Sequence, residues 1–278
     1  MFGDVTRVGA NFHAQEAWAN LKKVNGSIGQ IQSRLSTGKR INSAEDDTSG
    51  YALSKHLESR TRGLSQALDN VGTAKNVLNI AEGGFQAQMT ILQTMKEKAT
   101  QAADGSYSTN QRQAIQDQFA ALRTEFDDIS SDTKFNDNAL MSATAMTFHV
   151  GEGSTDTLAV TFGTSVAATV GEDNTDISAT TLATQAGATA GIALLDTAIK
   201  SLAKSIQNVG DNNARLSSKE ESLSLAISNT DATRSRIEDA DFAKEQMSMM
   251  KLQILQQTTM SSFSQANSAP QMVLSLFR

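Results

Sequence analysis

Residues 64–102 read LSQALDNVGTAKNVLNIAEGGFQAQMTILQTMKEKATQA, and their apolar positions recur at alternating intervals of three and four. Leu64, Ala67, Val71, Ala74, Leu78, Ala81, Phe85, Leu92, Met95, Ala99 and Ala102 keep the period, with Gln88 the one polar member of the series. That spacing places all of these side chains on one stripe of an α-helix, as the seam of a coiled coil requires. A helix over this stretch is roughly 58 Å long. It does not fit inside a compact globule of this size, so an elongated helical rod is expected.

The same period runs outward in both directions. Toward the N-terminus it holds Ala14, Ala17, Leu21, Val24, Ile28, Ile31 and Leu35, and stops before Gly38. After the turn-rich DGSYST of residues 104–109, a shorter helix is read from Ile115, Phe119, Leu122, Phe126 and Ile129. The period returns with Ile192, Leu195, Ile199, Leu202, Ile206 and Val209, and continues more weakly through Leu216, Leu223 and Ile227. A last helix, residues 233–265, carries a broad apolar face of Ile237, Ala240, Ala243, Met247, Met250 and Ile254. The fold class expected is mainly α: an antiparallel bundle or coiled coil of N- and C-terminal helices with a small β-hairpin region.

Residues 135–199 have a different composition, without a single lysine or arginine and rich in Thr, Ala and Gly. Phe148 and Val150, then Leu158, Val160 and Phe162, alternate at period two around the turn residues 151–156 and predict a β-hairpin. The remainder, to about Thr189, is read either as a second short hairpin or as an irregular surface loop.

Composition narrows the function. Of 278 residues only 5% are aromatic and one, Pro270, is proline, which suits long uninterrupted helices. No cysteine means no disulfide, thiolate metal site or thiol catalysis. A net charge of −6 argues against nucleic-acid binding. The N-terminal stretch has no apolar h-region, and no run is apolar enough for a bilayer span, so neither a cleaved signal peptide nor a membrane partner is expected. His13, His56 and His149 show no paired spacing, and Gly151 and Gly153 lack the third glycine of a nucleotide fingerprint. Residues 173–176 (DNTD) lack the glycine and terminal glutamate of a calcium loop. Glu45, Asp46 and Asp47 read as helix-capping acids, with Ser43 and Asp46 matching a capping box. No catalytic, cofactor or metal site is expected, and the chain is read as a non-enzyme.

Two blocks are far more specific. One is RLSTGKRINSAEDD (34–47) running into TSGYA (48–52); the other is TRSRIEDADFA (233–243), followed by QILQQ (253–257) and QANSAPQMVLSLF (265–277). In that order they closely resemble the N- and C-terminal regions of bacterial flagellin. Phe135-Asn136 falls where that family has an FN turn, and FHVG (148–151) resembles its (I/F)-x-V-G strand. The extreme N-terminus departs from the family's INTN-like segment, reading GANF at 9–12. The resemblance implies a minimal flagellin: residues 1–42 with 236–278 as the terminal coiled coil D0, residues 43–142 with 190–235 as the helical rod D1, and residues 143–189 as a β-hairpin and Thr-rich surface segment. It further implies a subunit of the extracellular flagellar filament used for swimming. Such a subunit is exported through the flagellar type III secretion channel, with a dedicated export chaperone, a filament cap and a hook-associated junction protein as partners.

The stripes give a physical reason for polymerisation. The terminal segments carry more apolar surface than one helical pair can hide, and exposed stripes seek partners. The expected self-assembly residues are Leu21, Val24, Ile28, Ile31, Leu35, Met247, Met250, Ile254, Leu274, Leu276 and Phe277. The family's stimulatory members present an arginine and a leucine in an LQRxRELAxQ stretch, and a glutamate on the facing helix, to the Toll-like receptor that detects flagellin. Here that stretch reads LQTMKEKATQ (92–101), so Thr94, Lys98 and Gln118 replace all three anchors. A hook–filament junction protein, an unrelated signalling coiled coil and a flagellin with an enzymatic insert are the competing readings; the last would need a large central domain with a zinc-protease motif.

Overall fold

The computed structural model describes residues 11–142 and 145–275, with side chains as far as residue 268. Among them the elements run α1 (Phe12–Thr37), α2 (Thr48–Ala103), α3 (Thr109–Asp132), β1 (Lys134–Phe135), β2 (Asn138–Ala139), β3 (Ala145–His149), β4 (Thr157–Thr161), β5 (Ser165–Val166), β6 (Thr169–Val170), α4 (Gln185–Glu238) and α5 (Phe242–Ser275). They divide into two compact units, one drawn from residues up to Thr61 and from Asn229 onward, the other Arg62–Ser228.

In the Arg62–Ser228 unit the coiled-coil period is the core. Each apolar residue of the 64–102 series is buried, together with Phe119 and Phe126 of α3 and Leu195, Leu202, Val209 and Leu216 of α4. Gln88 sits on the same stripe at zero exposure because its polar atoms are paired. Its Nε2 donates to the carbonyls of Phe126 and Ser165, both at 2.9 Å, and its Oε1 accepts from the Ser165 hydroxyl. A buried amide survives only with such partners. α3 starts on a capping box, Ser108 with Gln111. Asn136 and Asp137, at φ 49° and 64°, form the two-residue turn between β1 and β2, where left-handed backbone suits Asn and Asp.

The predicted hairpin is β3–β4, with Phe148 opposite Leu158 and Met146 opposite Val160. The undecided segment holds a second hairpin, β5–β6. Its return leans on α4: Ser201 Oγ donates to the Val170 carbonyl at 2.8 Å and accepts from Asp173 N–H at 2.8 Å. Gly171, at φ +67°, lies so close to the Ser201 backbone that a Cβ there would stand 2.4 Å from its carbonyl carbon. Residues 145–189, read from the sequence as a β-hairpin and Thr-rich surface segment, keep many exposed positions but also send apolar side chains into the core. Val160, Phe162, Val170, Ile177 and Leu182 join the same apolar cluster as the helices, and Asp127 of α3 accepts from Ala167 N–H. The Thr-rich composition hid this, because only alternate or isolated positions point inward.

In the other unit α1 packs along α5. Asn11 caps α1, and Gly38 at φ 72° ends it where the apolar period stops. The terminal helix does not run unbroken from Thr233. α4 ends at Glu238 and α5 begins at Phe242, with Asp241 capping it through the Lys244 N–H at 3.1 Å. Of the acids at 45–47, read from the sequence as helix caps, Asp47 caps α2 and Asp46 serves the turn before it. Asp47 accepts from Gly50 N–H at 2.8 Å to start α2, while Asp46 accepts from the N–H groups of Asn42 and Ser43 and closes the preceding turn. Hydrogen bonds from Gln30, Asn42 and Ser43, aided by the Arg34 charge, outweigh its burial and hold the Asp46 carboxyl below the usual range.

Candidate interaction surface

α5 carries two opposed apolar stripes. Its less exposed positions, Met249, Leu252, Gln256, Thr259, Phe263 and Ala266, recur at three and four and form the seam against α1. Gln256 Nε2 donates to Asn25 Oδ1 at 2.7 Å, and the Ala266 carbonyl accepts from Asn11 Nδ2 at 2.8 Å. At about 100° per residue, Met247, Met250 and Ile254 fall on the opposite side of the helix. They are 61%, 55% and 67% exposed. A surface helix in a finished globule keeps one apolar face, and a helix apolar on two sides is covered on both.

The structure therefore separates the expected self-assembly residues. Leu21, Val24, Ile28, Ile31 and Leu35 lie on the seam of α1, buried or half-buried. Met247, Met250 and Ile254 are not brought together with them but turned outward. Leu276 and Phe277, and the side chain of Leu274, lie outside the described residues. Thr94 and Lys98 are one turn apart on α2 and half-buried, and Gln118 is exposed on α3. Periodicity did not single out Phe12 and Trp18 of α1 or Phe242 and Met260 of α5, all more than half exposed; they lie off the main period.

A second feature, also missed, ties the two chain reversals of this unit. Residues 38–40 pair with 238–240: Arg40 N–H donates to the Glu238 carbonyl at 2.7 Å, Ala240 N–H to the Gly38 carbonyl at 2.9 Å, and Lys39 and Asp239 form a bridge. Beneath it the Glu238 carboxylate, 6% exposed, accepts from Ser54 Oγ of α2 at 2.7 Å and from Lys39 Nζ at 2.5 Å. Burial pushes the Glu238 carboxyl up, but the bonds from Lys39 and Ser54 and the charges of Lys39 and Arg234 prevail, leaving it below its ordinary value. Arg34 adds an ion pair to Glu245 at the start of α5, 3.6 Å away. The RLSTGKRIN and SRIEDAD motifs are thus one structural device made from both ends of the chain.

Among the described residues no cluster of three or more His, Cys, Asp or Glu could hold a metal ion, and no helix is long and apolar enough to cross a membrane. What this surface offers is apolar area beside a charged, tightly tied junction, which suits association.

Residues 8–146 match the family model of the bacterial flagellin N-terminal helical region, and residues 192–277 that of the C-terminal helical region. The chain is 33% identical to Flagellin FlaB1 of Treponema pallidum, over 96% of this chain and 98% of that protein. It is 34% identical, at the same coverage, to the flagellar filament 33 kDa core protein of Treponema phagedenis. Among solved structures, one assigned as a flagellar hook-associated protein from Vibrio parahaemolyticus aligns with a TM-score of 0.59 and 13% identity, covering 70% of this chain and all of that one, a likeness of fold alone. With both ends matched and relatives aligned over nearly their full length, the chain belongs to the bacterial flagellin family.

Proposed function

We propose that this chain is the structural subunit of a flagellar filament, polymerising outside the cell and serving swimming motility; it is not an enzyme. The outward stripe of Met247, Met250 and Ile254 carries this reading, since among the described residues the α1–α5 seam leaves it exposed. Covering such a side chain fully is worth about 1.5–3 kcal/mol. A contact repeated without closing around an axis turns that gain into a filament. Residues 1–42 with 236–278 then form the inner layer, 43–142 with 190–235 the rod around it, and 143–189 the outer surface. An export chaperone, a filament cap, a hook-associated junction protein and passage through the type III channel complete the expectation. Thr94, Lys98 and Gln118 make the subunit a poor ligand for the flagellin-sensing receptor.

The test uses the chain's one tryptophan. Trp18 is 55% exposed on α1, with Lys22 Nζ 5.7 Å from its ring centre. Under polymerising conditions, negative-stain microscopy should show uniform filaments, and Trp18 emission should shift to the blue as it is covered. Met250→Asp with Ile254→Asp should abolish both while leaving helicity unchanged. Filaments of normal yield from that double variant would overturn the assignment of the stripe.

A further inference from the structure

Asn25 is the one asparagine of this chain that is followed by glycine. It lies midway along α1, exposed, and its Oδ1 accepts from Gln256 Nε2 of α5 at 2.7 Å. Gly26 and Gly29 stand inside the same helix, where glycine is the poorest former after proline. Packing does not explain either one: among the described residues no neighbouring atom would lie within 4 Å of a Cβ at these positions. The middle of α1 is therefore its weakest turn. Its pairing with α5 adds little, since Ala14, Ile31 and Met249 are the only buried apolar side chains of the two helices among the described residues.

We propose that Asn25–Gly26 is a self-modification site, gated by the helical state of α1, that sets how long an unassembled chain stays competent to polymerise. The Gly26 backbone nitrogen attacks Asn25 Cγ, a five-membered succinimide closes, and ammonia leaves with the proton of the Gly26 N–H. Water then opens the ring at either carbonyl, giving aspartate or isoaspartate. No side chain on Gly26 obstructs the attack. That separates Asn25 from Asn20, exposed on the same helix but followed by Leu21. In a closed helix the reaction is blocked: the Gly26 N–H is committed to the carbonyl four residues back, and the backbone holds its nitrogen away from Cγ. In an open α1 both restraints are gone. An aspartate at position 25 still accepts from Gln256. Isoaspartate adds a methylene to the main chain, so Ile28, Ile31 and Leu35 lose their phase with Leu21 and Val24 on the seam. In a polymer, neighbouring copies keep α1 closed and the reaction stops. The gating and its consequence for assembly rest on the filament reading above, whereas the choice of Asn25 does not.

The experiment holds the purified full chain at mildly alkaline pH, both unassembled and as preformed polymer. Peptide mass spectrometry follows each asparagine, isoaspartyl methyltransferase with S-adenosylmethionine counts isoaspartate, and sedimentation follows the polymer. In the unassembled chain Asn25 should convert several times faster than Asn20, and pelletable polymer should be lost in proportion to isoaspartate. In preformed polymer Asn25 should be spared. Gly26→Ala and the bulkier Gly26→Gln, which the open space beside α1 admits, should polymerise and keep doing so after the same ageing. Equal conversion of Asn25 and Asn20 would overturn the site, and equal conversion of Asn25 in polymer and free chain would overturn the gating. Loss of assembly in both fresh variants, or equal loss on ageing in wild type and a variant, would overturn the role in assembly. If fresh wild-type chain forms no polymer, the filament reading fails, and the ratio of Asn25 to Asn20 then decides whether the site stands.

Discussion

Removing the carboxylate at Glu238 should loosen both chain reversals of the terminal unit together. In Glu238→Ala the Ser54 hydroxyl, 2% exposed, loses its acceptor, and a buried donor left unpaired costs about 1–3 kcal/mol. Lys39 loses a charge-assisted bond, but its side chain is 45% exposed and can turn to water, so that part is discounted to about 1 kcal/mol or less. The sum is about 3 kcal/mol, on the order of a hundredfold in a local opening equilibrium. Hydrogen exchange reads it directly. The amides of Arg40, Ile41 and Ala240 donate across the junction to the Glu238 and Gly38 carbonyls. Their exchange should accelerate by about that factor in the variant, while amides around Val71 and Phe85 are unchanged. Glu238→Gln keeps a neutral acceptor and should lose less. Acid should act like the substitution. Because the folded pKa lies below the ordinary 4.5, the stabilisation is complete above that value and is lost as pH falls through the lower folded one. Faster exchange at Arg40 without a matching change at Ala240 would refute the idea that one carboxylate holds both reversals.

Gln88→Leu should lower the stability of the Arg62–Ser228 unit by about 3 kcal/mol, since the Ser165 hydroxyl and two buried carbonyls lose their partner; an unchanged urea midpoint would show the amide is dispensable. Deleting residues 270–278 should abolish sedimentable polymer and leave the thermal transition of the Arg62–Ser228 unit in place; polymer of normal yield from the deletion would count against a C-terminal role. In a receptor-reporter assay the depolymerised chain should need a far higher dose than a stimulatory flagellin, and Thr94→Arg, Lys98→Leu and Gln118→Glu together should lower that dose; equal half-maximal doses for wild type and the stimulatory protein would sink the alignment.

The α2 helix was legible because its period is kept by side chains that all end in one core. The turn residues 104–109 with their Ser/Thr helix start gave away α3 for a similarly local reason. The break between α4 and α5 was not legible. Ile237, Ala240, Ala243 and Met247 continue at helical spacing straight through it, and what ends α4 is pairing with residues 38–40, some two hundred positions away. Local pattern carries no trace of such a partner. The role of Gln88 was half legible: its place on an apolar stripe marked it out, but its partners on α3 and β5 lie in segments with no pattern linking them to it.

The two faces of α5 say most about how the chain works. Met247, Met250 and Ile254 keep an apolar period along the helix, yet the seam it uses inside the chain also runs through Gln256 and Thr259. Polar positions in a coiled-coil seam set register at a cost in stability. Among the described residues only Ala14 and Ile31 of α1 and Met249 of α5 are buried apolar residues along this pair, against an unbroken buried stripe in the Arg62–Ser228 unit. Two helices joined by so little burial hold their register through bonds such as Gln256 to Asn25 and through the Glu238 junction, and draw little from apolar contact. The stronger stripe is kept for the outside. On the filament reading proposed above, association with a neighbouring copy would supply the burial that the pair lacks, so the order of the terminal helices and the growth of the polymer would depend on the same side chains.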